Sequence, residues 1–92
     1  MDDVTRKELK EAIQIMKEIT EDRGVPRNIR AAVTEALAKV EKRKPSTVDC
    51  SMAIYLLDDI SNDINMPSHT RTSLWNAISK LESVKEKIKE IE

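Results

Sequence analysis

Residues 12–41, AIQIMKEITEDRGVPRNIRAAVTEALAKVE, and residues 53–82, AIYLLDDISNDINMPSHTRTSLWNAISKLE, align at a constant offset of 41 positions. Nine of the thirty positions are identical: Ala12/Ala53, Ile13/Ile54, Ile19/Ile60, Asp22/Asp63, Pro26/Pro67, Arg30/Arg71, Ala36/Ala77, Lys39/Lys80 and Glu41/Glu82. Most others exchange like for like, as in Thr20/Ser61, Val25/Met66 and Leu37/Ile78. A match at fixed period marks a duplicated supersecondary unit. The copies share the residues that stop one helix and start the next.

Gly24 and Asn65 occupy equivalent places and are the residue types that accept positive φ most cheaply. The pattern predicts a left-handed residue ending the first helix of each unit, with Val25 or Met66 packing back on Ile19 or Ile60. Pro26 and Pro67 then block continuation of that helix and preset φ for the next. Each unit reads as a helix, a sharp corner and a helix.

Apolar residues at three- and four-residue steps place the helices. The first is expected from Val4 to Asp22, with a stripe of Leu9, Ala12, Ile13, Met16 and Ile19 that Ile15 widens. The second runs from Pro26 to Arg43, burying Ile29, Val33, Ala36, Leu37 and Val40. After the Lys44–Thr47 link, where Ser46 or Thr47 is the N-cap and Asp49 serves the first turn, the third runs to Asp63. It is expected to pack Val48, Met52, Ile54, Tyr55, Leu56 and Ile60. The fourth starts at Pro67 and carries Leu74, Ala77, Ile78, Leu81, Val84, Ile88 and Ile91. Its tail outruns the repeat and either packs on the first helix or meets a second copy of the chain. Such helices bury their stripes only against one another, so the fold class is all-α, a compact antiparallel four-helix bundle built from two duplicated helix-turn-helix hairpins, one domain over residues 1–92.

Composition agrees. A chain of 92 residues buries about 60–65% of its unfolded surface and forms one modest core. One glycine, two aromatic residues and 36% charged residues fit helices rather than a sheet. The net charge of −1 draws the chain as a whole to neither nucleic acid nor an anionic membrane. Residues 23–44 nevertheless hold a surplus of five positive charges, from Arg23, Arg27, Arg30, Lys39, Lys42, Arg43 and Lys44 against Glu35 and Glu41. Residues 45–65 hold only Asp49, Asp58, Asp59 and Asp63. Neighbouring helices that neutralise one another account for this, as does a basic binding surface. The lone Cys50 excludes an intrachain disulfide. The charged N-terminus is unlike a signal peptide and no apolar run spans a bilayer, so a cytoplasmic protein without membrane contact is expected.

Polar candidates for chemistry are few. Asp22 with Arg30, mirrored by Asp63 with Arg71, reads either as a ligand-binding pair at each corner or as a structural tie, the carboxylate taking N–H groups of the next helix and the guanidinium holding the corner. His69, the sole histidine, has Asn28 as its counterpart and suits surface or corner hydrogen bonding. Asp58 and Asp59 diverge by about 100° on a helix and make a poor cation site. Trp75 replaces Thr34 of the first copy and marks a groove or dimer contact. There is no glycine-rich phosphate loop, nucleophile elbow, HExxH or catalytic carboxylate pair. The expectation is a non-enzyme without cofactor, metal or small-molecule substrate.

The segments EITEDRGVPRNIRAA and DDISNDINMPSHTRTSLWNAISKLE resemble a small archaeal family, Uncharacterised Protein Family 0147, over nearly the whole chain. The resemblance implies a four-helix bundle and supplies no catalytic residues. The functional expectation is a helical protein–protein interaction module, using a surface of Trp75, Arg27, Arg30, Arg71 and His69 toward itself as a homodimer or toward another protein. The alternative is an RNA- or ribosome-associated protein that uses the basic second helix.

Overall fold

Two helices begin behind a capping side chain and two behind a proline, which presets φ for the first turn. The computed structural model describes residues 1–91. Helix α1, Asp3–Glu21, starts behind Asp2, whose carboxylate accepts the Thr5 N–H at 2.8 Å. Helix α2, Arg27–Val40, starts behind Pro26, with φ −54° and ψ 147°. Helix α3, Thr47–Ile60, has a reciprocal capping box: Ser46 Oγ accepts the Asp49 N–H at 3.1 Å and Asp49 Oδ2 accepts the Ser46 N–H at 2.9 Å. Helix α4, Ser68–Ile91, follows Pro67.

The middle helices are shorter than periodicity predicts. Helix α2 ends at Val40 rather than Arg43: Glu41 leaves helical geometry with φ −79° and ψ 64°. Lys42 therefore lies in the link, where its Nζ is 3.0 Å from Asp49 Oδ1. Helix α3 ends at Ile60 rather than Asp63, and the residues beyond it belong to the corner.

The corners are sharp but contain no left-handed residue, a correction to the expectation for Gly24 and Asn65. No described residue has positive φ. Asp22 leaves the helix with φ −84° and ψ 110°, its Oδ1 accepts the Gly24 N–H at 2.8 Å, and its carbonyl accepts the Val25 N–H at 3.1 Å. Asp63 repeats both hydrogen bonds, with Asn65 at 2.8 Å and Met66 at 3.2 Å. An aspartate that bonds to the backbone two residues on turns the chain through ordinary geometry. Val25 and Met66 are buried.

The helices form a square ring. Helix α1 packs on α2 and α4, α3 packs on α2 and α4, and the diagonal pairs make no close backbone approach. The core is Leu, Ile, Val, Ala and Met from all four, with Met16, Ile29, Leu57, Leu74 and Leu81 essentially sealed from solvent. Both corners lie at one end, where Asn28 Nδ2 donates to Asp63 Oδ2 at 2.9 Å and His69 Nε2 approaches Asp22 Oδ2 to 3.6 Å. Residue 28 is the repeat partner of 69, and 22 of 63, so these contacts express a pseudo-twofold axis between the hairpins.

The α4 tail packs within the chain. Val84 and Ile88 are buried, and Lys80 and Lys87 meet Glu11 and Glu8 of α1 at 3.4 and 3.3 Å. Ile91 stays exposed.

Candidate interaction surface

Helix α3 departs most from the sequence expectation. Its buried line is Cys50, Ala53 and Leu57, all completely enclosed. Val48, Met52 and Tyr55, expected in the core, are instead 65%, 43% and 70% exposed. They recur at i, i+4 and i+7 and form a second, outward apolar stripe. The small side chains of Cys50 and Ala53 let α3 lie close to its neighbours, which fixes the helix with this stripe outside. Together with Leu56, Thr47, Ser51 and the α2 residues Glu35 and Lys39, the stripe lines a groove of about 460 Å³.

The duplication supplies an internal comparison. Val48, Met52 and Tyr55 correspond to Lys7, Glu11 and Gln14 of α1, all exposed. The first copy presents an ordinary polar face where the second presents an apolar one.

At the corners the arginines bind backbone, not the aspartates. Arg30 Nε donates to the Val25 carbonyl at 3.0 Å. Arg71 spans two carbonyls, with Nε 3.2 Å from Ser61 O and an Nη2 3.0 Å from Asp63 O. The carboxylates take N–H groups inside the corner rather than at the start of the next helix. His69 has a largely exposed side chain beside Asp22, Arg27 is exposed, and Trp75 is 58% exposed on α4, outside the α2–α3 groove. Arg30 and Arg71 are thus engaged by their own corners, and none of the five residues singled out in the sequence lines the α2–α3 groove.

Several charges on the rest of the surface are locally paired. Asp49 is held below the usual carboxylate range by the Ser46 N–H first and by Lys42 second. Glu8 is lowered by the Ser83 hydroxyl first, then by Lys87. Lys17 is raised by Glu41, 2.7 Å away. Among the described residues no three His, Cys, Asp or Glu side chains gather as a metal site, and no helix is long and apolar enough to cross a membrane.

A small cleft between the α1 C-terminus and the α4 N-terminus, about 160 Å³, is lined by Glu18, Asp22, His69, Thr70 and Ser73 with Ile15 and Ile19. The Thr70 hydroxyl is buried there without a hydrogen-bond partner. The equivalent residue in the first copy is Ile29.

These features define a four-helix bundle of two fused helical hairpins. Residues 1–84 match the model of an uncharacterised protein family, UPF0147, and the chain belongs to that family. It is similar to the crystal structure of a protein of unknown function, MMP1188, at 46% identity over 83% of this chain and 88% of that one, with a TM-score of 0.75. A UPF0147 protein from Thermoplasma acidophilum is similar at 32% identity over 88% and 96% of the two chains, with a TM-score of 0.81. No curated protein matches.

Proposed function

We propose that the chain is a non-enzymatic helical protein–protein interaction module of the cytoplasm, and that its working face is the outward side of α3 with the adjoining edge of α2. The observation that carries this reading is the exposure of Val48, Met52 and Tyr55 in one line over a groove. Single exposed apolar residues are ordinary, whereas a contiguous apolar patch rimmed by polar groups marks a contact surface. A helix apolar on more than one face has one partner inside the fold and room for another outside it. Two basic residues of the second helix as the sequence draws it, Arg30 and Lys42, are engaged within the fold. Arg27 and Lys39 stand about 120° apart around α2, too divergent for one continuous stripe.

The test is affinity purification from native cells at low and high salt, comparing the wild type with a Met52→Glu/Tyr55→Glu variant. A defined set of proteins lost from the variant and retained at high salt is expected. Partners indifferent to those substitutions, or nucleic acid released steeply as salt rises, would overturn the reading in favour of a basic surface.

A further inference from the structure

The groove's charges and dimensions suit a particular occupant, given that the interaction reading above holds. We infer that the occupant is a second copy of this chain, docked antiparallel about a twofold axis that crosses α3 near Met52 and Tyr55.

The rim is self-complementary. Glu35 and Lys39 line the same α2 edge one turn apart. A twofold rotation about the groove's midpoint sets Glu35 of one copy toward Lys39 of the other, and the reverse. The ends repeat the pattern on a larger scale. Because α2 and α3 are consecutive, antiparallel helices, the Arg43 and Lys44 link lies at the start of α3, and Asp58 and Asp59 lie near its end. Antiparallel docking lays the basic end of each copy over the acidic end of its partner and opposes the two α3 dipoles. A rim carrying both signs in this order is matched by its own twofold image.

Size agrees. The Cα envelope measures 39 × 19 × 19 Å. A long face of that size is on the scale of the ~800 Å² that each partner contributes to a standard interface. The duplication shows the divergence that such a role requires: where α1 carries Lys7, Glu11 and Gln14, α3 carries apolar residues and can close against a copy of itself. Tyr55 is the anchor expected to dominate, as a large amphipathic side chain at the centre of the patch.

The experiment is the solution mass of the full chain by sedimentation velocity from about 1 to about 100 μM, with helicity and melting recorded for each variant. The expected result is a wild-type species of twice 10.5 kDa. Met52→Glu/Tyr55→Glu should sediment as a folded monomer, its dissociation constant raised at least ~30-fold. Lys39→Glu should weaken the dimer about tenfold, and Glu35→Lys/Lys39→Glu together should restore it, which a loss of folding would not do. A monomeric wild type throughout this range overturns the inference, as does a dimer indifferent to the Met52 and Tyr55 substitutions or one dissolved by Trp75→Ala instead. A monomer that still retains a groove-dependent partner in the native-cell purification sinks the second copy alone. Loss of both results sinks the interaction reading with it.

Discussion

Arg71→Ala should be the most damaging single change at a polar residue of the corners, and more damaging than Arg30→Ala. The Arg71 guanidinium is partly buried and uses two of its donors at once, on Ser61 O at 3.2 Å and Asp63 O at 3.0 Å. It thereby closes the last turn of α3 onto the corner. Hydrogen bonds from a charged donor contribute about 1.5–3 kcal/mol each when buried, and partial exposure places this pair near the lower end. Truncation also takes this donor from the Ser61 carbonyl, while the Asp63 carbonyl keeps the Met66 N–H. The loss is about 2–3 kcal/mol, which for a domain of this size lowers Tm by roughly 10–15 °C. Arg30 makes one such bond, to Val25 O at 3.0 Å, and its removal costs about 1 kcal/mol, or roughly 5 °C. Arg71→Lys preserves the charge but not the planar fork and should recover less than half of the loss. Differential scanning calorimetry of the three variants beside the wild type measures all of this. Equal melting of Arg71→Ala and Arg30→Ala, or full rescue by lysine, would refute the argument that the corner is held by a two-pronged bond to backbone.

Gly24→Ala should be neutral or raise Tm by about 2–4 °C, since the position needs no positive φ and an alanine narrows the unfolded ensemble. The added Cβ would sit 3.2 Å from Asp22 Oδ1, and Asn65 accommodates a Cβ in the same turn; a thermal melt showing a loss of 1 kcal/mol or more, as a left-handed residue gives, would contradict the turn described. Thr70→Val removes a buried hydroxyl that bonds to nothing, at a site where the first copy has Ile29, and should stabilise by about 1 kcal/mol in chemical denaturation. Stability should also fall in acid. Asp2, Glu8 and Asp49 all have folded pKa values below their ordinary ones, so their contributions are present above about pH 4 and vanish as pH drops through the lowered values. Lys17, raised by Glu41, acts oppositely: its contribution holds below its ordinary pKa and disappears only as strongly alkaline pH passes the raised one. A Tm that stays flat from neutral pH down to pH 3 would contradict the acid part.

The bundle was legible because each unit repeats its own punctuation. Proline after the corner, the apolar 3–4 spacing and the Ser46–Asp49 cap all locate elements that the structure contains. The mechanism of the corner was less legible. Gly24 and Asn65 share a tolerance for left-handed geometry, but tolerance is not use, and the invariant Asp22/Asp63 two residues earlier offered the backbone a different route. Helices α2 and α3 each stop three residues short of the periodic pattern, since terminal turns are decided by caps and prolines that periodicity ignores. The rotation of α3 was the largest miss. Apolar residues surround that helix, so periodicity alone could not say which line faces inward, and the bulky Val48, Met52 and Tyr55 outranked the small Cys50 and Ala53 that the core selected. The phase was nonetheless written in the repeat. Ala12 and Met16 of α1, both buried, align with Ala53 and Leu57, while Lys7, Glu11 and Gln14 align with the outward stripe.

The proposed function depends on which face of the bundle is used. Its most direct test is amide chemical-shift mapping of the full chain by ¹H–¹⁵N NMR on serial dilution. Shifts concentrated at Glu35, Lys39, Val48, Met52 and Tyr55, with α4 around Trp75 unchanged, are the predicted result; shifts centred on Trp75, or a spectrum insensitive to dilution, would contradict it.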